Sequence, residues 1–355
     1  MEKSSNNLYV EAVNLLKNLI QTPSFSREEE KTADILSNFL ENKNIQIFRK
    51  KNNVWAKNKY FDPKKPTILL NSHHDTVKAN LGYTLNPFEA VEKDGKLYGL
   101  GSNDAGASLV SLLSNFLYFN DLELKYNLIF AATAEEEISG QNGISLILED
   151  LEKIDFAIVG EPTLMNLAVA EKGLMVLDCS VKGVSGHAAR DVGENAIYKA
   201  LPCVEWFRTF RFPKKSEKLG EIKMTVSQIQ AGTQHNVIPD LCTFVVDVRT
   251  TDAYSNSETL EIIQKNANCE VKARSTRLNP SGISKDHAIV LAAQKLGINC
   301  FGSPTLSDQA LMPFDSVKIG VGDSERSHSP DEFVFLNEIE QGIEKYIALL
   351  SEIIL

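Results

Sequence analysis

Ile68-Leu69-Leu70-Asn71-Ser72-His73-His74-Asp75 is the stretch whose reading decides the fold. A short apolar run of this kind reads as a strand buried on both faces, and it empties into His and Asp. The pattern recurs. Residues 128–132 run into Thr133-Ala134-Glu135-Glu136-Glu137, and 156–159 into Gly160-Glu161-Pro162. Residues 317–321 lead, after a short loop, to His328-Ser329-Pro330-Asp331-Glu332. Between these strands lies a helical stretch carrying Leu109, Leu112, Leu113, Phe116 and Leu117. Strands alternating with helices predict an α/β domain with a largely parallel sheet. In such sheets ligands bind beyond the carboxyl ends of the strands. Four strands thus bring His or carboxylate groups to one edge, and Gly101-Ser102-Asn103-Asp104 adds a fifth at a predicted helix start.

Outward from that frame, Leu8, Ala12, Leu15, Leu16 and Leu19 repeat at helical spacing until Thr22-Pro23 breaks the pattern. Ser26 and Glu29 read as a capping box opening a second helix, with Ile35, Leu36, Phe39 and Leu40 inward. The middle of the chain has another rhythm. Strands are expected at 175–181, 222–229, 242–248 and near Val271, with helices at 195–210 and after Ser257. That β-α-β-β-α-β order is a ferredoxin-like unit. Because the strand at 317–321 follows it, the small domain is expected as an insertion. The expected boundaries are 1–173 and 279–355 for the larger domain and 174–278 for the inserted one.

The chain has 355 residues and a net charge of −10, with no long basic stretch. Phosphate backbones are held by Lys and Arg, so nucleic acid is not an expected partner. No apolar run approaches the roughly 18 residues of a membrane span, and residues 1–9 lack the apolar core of a signal peptide. Cys179, Cys203, Cys242, Cys269 and Cys300 are odd in number and scattered. Neither disulfides nor a cysteine metal site is expected, which fits a cytoplasmic setting. Any metal must then be held by His and carboxylate.

Each chemical group has a plainer explanation when taken alone. Glu135-Glu136-Glu137 can be a solvated acidic turn, His73-His74 a surface or core pair, and Asp104 an N-cap. Glu161 and His328 can be ordinary loop residues. Convergence on one edge changes the balance, because clustered carboxylates repel one another unless cations sit among them. Two divalent ions would remove that cost.

These residues resemble the M20 metallopeptidase family. His73-x-Asp75, the segment from Gly99 to Asp104, Glu136-Glu137, Gly160-Glu161-Pro162-Thr163 and His328-Ser329-Pro330-Asp331-Glu332 stand in that family's order along nearly the whole chain. The family includes acetylornithine deacetylase, succinyl-diaminopimelate desuccinylase, aminoacylase and several peptidases. The resemblance implies a metal-dependent amidohydrolase with a catalytic domain and an inserted lid. His73 and Glu161 would hold one metal, Glu137 and His328 the other, and Asp104 would bridge them. Zn²⁺ suits such ligands, with Co²⁺ a substitute. Asp75 would orient the His73 ring. Water acidified toward a pKa of roughly 7 would be the nucleophile, and Glu136 its general base and then acid. The family usually has Asp where Glu135 stands, so a shift of base and ligand by one position is an alternative.

The lid carries further matches. Val184-Ser185-Gly186-His187-Ala188-Ala189-Arg190 resembles the family's lid histidine motif. In dimeric members that histidine reaches the neighbouring subunit's site and stabilises the oxyanion, which implies a homodimer formed through the lid. Asn236 and Arg249 match positions that contact substrate, the alternative for Arg249 being a strand-end ion pair. His74, His235 and His287 are given no metal role. The motifs look closest to acetylornithine deacetylase and its lysine-pathway relatives. The expected reaction is release of ornithine or citrulline from its N-acetyl form, as in arginine biosynthesis. N-succinyl amino acids and di- or tripeptides are alternative substrates. A non-enzymatic binding homologue is the remaining reading, against which stands the presence of Glu136 and all five ligands.

Overall fold

A computed structural model describes residues 5–190 and 192–353. The first four residues of the polar N-terminal stretch lie outside the described residues. By contacts the chain divides into two compact units: residues 1–169, 282–301 and 307–355, and residues 170–281 with 302–306. The second unit extends a few residues beyond the 174–278 segment at both ends and takes in 302–306 as well.

The first unit is a mixed α/β structure around a central sheet. Its strands run in the order Ile47–Lys50, Asn53–Lys57, Asn127–Thr133, Thr67–His73, Phe156–Val159, Asp315–Lys318 and Leu167–Glu171. The four strands from Asn127–Thr133 to Asp315–Lys318 are mutually parallel, and antiparallel strands flank them. Alternate side chains explain why the runs are apolar throughout. Ile68, Leu70, Leu128, Phe130, Phe156 and Ile158 join one core, packed with helices Ser5–Ile20, Ala107–Phe119 and Leu336–Glu352. Leu69, Ile129, Ala131 and Ala157 face a second core that holds Trp55, Ile144 and Ile147. Each Leu, Ile or Phe among them, when fully buried, contributes about 1.5–3 kcal/mol.

Two expectations are corrected. The second helix is Glu30–Glu41, later than a Ser26 cap requires, and Glu29 at its N-cap makes no capping hydrogen bond. Ser26 and Glu29 spend their side chains on tertiary partners instead. The strand expected at 317–321 is Asp315–Lys318, ending three residues early. Beyond it the chain stays close: the Ile319 N–H bonds the Val159 carbonyl at 3.0 Å, and an added Cβ on Gly320 would meet the Glu161 carbonyl oxygen at 2.4 Å.

The second unit has the order strand Gly173–Lys182, helix Ala196–Thr209, strands Lys223–Ala231 and Leu241–Thr250, helix Asn256–Asn266 and strand Glu270–Ala273. Its antiparallel sheet is ordered Lys223–Ala231, Leu241–Thr250, Gly173–Lys182, Glu270–Ala273, the ferredoxin-like arrangement. Burial alternates along Leu241–Thr250, as it must when helices cover one face. Here the capping box is real: Ser255 and Glu258 cap Asn256–Asn266 reciprocally.

Candidate metal centre

Strand register in the first unit sets the geometry. His73, the last residue of its strand, lies beside Thr133, so the acidic triplet that follows Thr133 emerges next to it. On the other side Asn71 pairs with Val159, and the Gly160 N–H bonds the Asn71 carbonyl at 2.7 Å. Glu161 follows at once. Gly160 is closely packed there: a Cβ would stand 2.6 Å from Leu112 Cδ1 and 3.2 Å from the Cβ atoms of Ser108 and Ser72. Asp104 sits in the tight turn Ser102–Gly106 that feeds helix Ala107–Phe119.

The groups meet in one cluster. His73 Nε2 lies 3.4 Å from Asp104 Oδ1, 3.8 Å from Glu161 Oε1 and 4.0 Å from Glu136 Oε2. His328 Nε2 lies 3.0 Å from Glu137 Oε2 and 3.6 Å from Asp104 Oδ2. Asp104 therefore presents one oxygen to each histidine. His73 Nε2 and Glu161 Oε1 are both buried without a hydrogen-bond partner. Such atoms are costly unless something pairs them, and a cation between them satisfies both. Among the described residues, His73 with Glu136 and Glu161, and His73 with Asp104 and Glu137, bring three ligand atoms within 4.8 Å of one another. The donor set is imidazole nitrogen and carboxylate oxygen, which suits a divalent transition metal.

The charges give the same answer. Burial and the neighbouring carboxylates outweigh His73 and push Glu161 up to about 8 and Glu136 well above its ordinary value. Glu137 is raised too, burial first, against the pull of His328. Burial would lower the His73 imidazole, but Asp104 and Asp75 raise it well above 6.5. His328 is raised to about 9, chiefly by its bond to Glu137. Burial would raise Asp104, but His73 and then His328 hold it below the usual carboxylate range. Four acids share this space with only two imidazoles. Cations would allow all four to ionise.

A layer of buried polar groups holds the cluster. The Asp75 carbonyl lies 3.0 Å from His73 Nδ1, which turns Nε2 toward the acids. The Asp75 carboxylate accepts the N–H groups of Glu136 and Glu137 at 3.0 and 3.2 Å, and the Ser26 hydroxyl at 2.7 Å. Glu29, fully buried, accepts the N–H groups of Arg27 and Glu135 and the Asn52 amide. Glu135 turns away and bonds Asn142 through its backbone and side chain. Within the triplet, only Glu136 and Glu137 face the histidines.

Sequence reasoning missed several of these residues. Glu332, 1% exposed, accepts three backbone N–H groups of the Asp104 turn. Asp308 accepts the Thr133 hydroxyl at 2.8 Å, and burial raises its carboxyl to about 7. No local pattern marks Asp308, whereas Glu332 stood inside a recognised motif without a role. Of the histidines set aside, His74 is buried between Thr32 and the Asn52 carbonyl, and burial lowers it to about 4. His287 caps helix Ala288–Lys295.

His187, Asn236 and Arg249 belong to the second unit. His187 is exposed on the short strand Gly186–His187, which pairs with Val237–Ile238. Its Nδ1 accepts the Ala189 N–H at 3.1 Å, which fixes the proton on Nε2 in the neutral ring. The Asn236 carbonyl accepts the Ala188 N–H at 3.0 Å. Arg249 forms the ion pair that was its alternative reading, with Asp247 at 2.9 and 3.1 Å.

Comparison with known proteins gives the site its lineage. The model of peptidase family M20/M25/M40 matches residues 69–352, which span every group of the cluster. The chain belongs to this family. This M20 chain is a metallohydrolase whose relatives are deacetylases, desuccinylases and peptidases. It is 28% identical to an acetylornithine deacetylase of Proteus mirabilis, over 92% of this chain and 93% of the relative. It is 27% identical to a succinyl-diaminopimelate desuccinylase of Rickettsia felis, over 96% and 100%. The M20 fold is shared with a dinuclear metal-binding peptidase of Bacillus subtilis, at a TM-score of 0.74 and 19% identity, covering 98% of each chain. Among the described residues no helix is long and apolar enough to cross a membrane.

Proposed function

We propose that this M20 hydrolase holds two divalent metals, zinc by preference, and releases the amino acid from an N-acyl amino acid, N-acetylornithine or N-acetylcitrulline foremost. The observation that carries the reading is the pair of unpartnered buried atoms, His73 Nε2 and Glu161 Oε1, inside a cluster of four acids and two histidines. His73 and Glu161 would hold one cation, Glu137 and His328 the other, with Asp104 between them. When bound, the cations supply positive charge that acidifies water and polarises the amide carbonyl.

The chain's own residues supply the rest. Glu136 is close to the cluster yet is not needed as a ligand, and its burial raises its affinity for a proton. It takes the proton of the attacking water and returns it to the leaving amine nitrogen. Asp75 fixes Glu136 relative to His73 by bonding the backbone of one and the ring of the other. His187, with its Nε2–H directed away from the Ala189 contact, donates to the developing oxyanion of a partner copy's site in a homodimer joined by the second unit, acting as a lid. Asn236 and Arg249 contact the substrate's polar groups, Arg249 sharing its Asp247 pairing.

Matches to acetylornithine deacetylases over most of both chains support the acetyl reading. An N-succinyl substrate is the second reading, supported by the full-length match to a desuccinylase. Five free cysteines support a cytoplasmic setting, and N-acetylornithine cleavage would place the enzyme in arginine biosynthesis. The test is amine release from N-acetyl and N-succinyl forms of ornithine, citrulline, lysine and diaminopimelate, and from dipeptides, with Zn²⁺ or Co²⁺ added. The highest kcat/KM is expected on N-acetylornithine or N-acetylcitrulline. Preference for a dipeptide would overturn the deacylase reading.

A further inference from the structure

Glu332 is buried, and its carboxyl oxygens accept from one short segment. Its Oε1 accepts the N–H groups of Asn103 and Asp104 at 2.8 and 2.9 Å, and its Oε2 accepts that of Gly101 at 3.1 Å. Its own carbonyl accepts the Gly99 N–H at 3.0 Å. The next residue, Phe333, pairs with Tyr98 in the antiparallel ladder Phe333–Phe335 with Lys96–Tyr98. Two segments more than two hundred residues apart are thereby clamped side by side. One ends in Asp104. The other carries His328, four residues before Glu332.

The clamp matters because of where Asp104 points. Its two oxygens lie 3.4 Å from His73 and 3.6 Å from His328, so small rotations of the turn would trade one contact for the other. A carboxyl group whose two oxygens accept three backbone N–H groups resists such rotation, since each bond is directional. We propose that Glu332 is the positioning residue for Asp104, and that by holding the 101–104 turn it sets the spacing of the two cation sites. It touches neither substrate nor reacting atoms. The inference rests on the two-metal reading above.

The test is Zn²⁺ affinity of the chelator-stripped full-length protein, measured by competition with a chromogenic chelator. Glu332→Gln keeps the volume but turns an amide N–H₂ toward backbone donors. Zn²⁺ binding is expected to weaken by about 10–100-fold, the usual effect of losing a group that orients a ligand, with kcat falling and KM little changed. Glu332→Asp keeps a two-oxygen carboxyl acceptor one methylene short and should recover part of the loss. Should the Gln variant not fold, the Asp variant carries the same criterion. A lower Tm of the metal-free protein with parental Zn²⁺ affinity would mean that Glu332 only braces the turn, and would overturn the inference. Asp104→Ala serves as the reference. If it too binds Zn²⁺ as the parent does, the two-metal reading itself fails, and this inference with it.

Discussion

Glu136→Gln separates the chemistry of the centre from its metal binding. The substitution keeps size and shape but removes the group that accepts and returns a proton. Glu136 Oε2 stands 4.0 Å from His73 Nε2, whereas Glu137 bonds His328 at 3.0 Å. The five proposed ligands are untouched. The expected loss is therefore in kcat, by about 10²–10⁴, or roughly 2.7–5.4 kcal/mol of transition-state stabilisation at 1.36 kcal/mol per tenfold. KM and metal content should stay near parental values. Amine release and elemental analysis on the same sample read both quantities. Glu137→Gln should do the reverse and lower the occupancy of one metal. If Glu136→Gln loses metal while Glu137→Gln keeps it and loses only rate, base and ligand have been exchanged and the reasoning is refuted.

Two further predictions concern other parts of the molecule. An inactive Glu136→Gln protein mixed with an inactive His187→Ala protein should regain activity as subunits exchange, because one site of the mixed dimer has its own Glu136 and the partner's His187; no recovery with exchange confirmed by mass would show that His187 does not act across copies. Burial holds His287 below 6.5 and favours the neutral ring that caps helix Ala288–Lys295. The unfolded chain then takes up this proton first as pH falls, so stability is lost on acidification through the ordinary His range. His287→Asn keeps a capping acceptor without the titration, and its Tm should fall less between pH 7 and pH 5 than the parent's; equal falls would show that His287 contributes nothing to the acid limb.

The parts of this molecule that could be read from the sequence are those governed by local pattern. Runs such as 68–70 and 128–132 are apolar on both faces, so buried strands were visible, and the polar residues after them fell on one edge. Lys223–Ala231, by contrast, lies mostly exposed at a sheet edge, and the strand expected at 222–229 in the β-α-β-β-α-β order still falls on it. Ser26 and Glu29 show where local reading fails. Their spacing is that of a capping box, and the same spacing does cap a helix at Ser255 and Glu258. Ser26 instead finds Asp75 at 49 residues' separation, and Glu29 finds Glu135 at 106. Both partners lie in the centre, where a buried acid without a bond would cost more than a bare helix end that water can reach. Glu332 and Asp308 were hidden for the same reason, since a carboxylate's partners are set by tertiary packing. The strand Asp315–Lys318 ends before its apolar run does, since Ile319 and Val321 are buried in the core without being in the strand.

The central claim is that two cations share Asp104, and anomalous diffraction from crystals of the active enzyme, recorded at the zinc absorption edge, tests it most directly. Two peaks per chain are expected, one within about 2.0–2.2 Å of His73 and Glu161 and one equally close to Glu137 and His328, with an Asp104 oxygen on each. A single peak, or peaks away from these side chains in an enzyme that retains full activity, would contradict it.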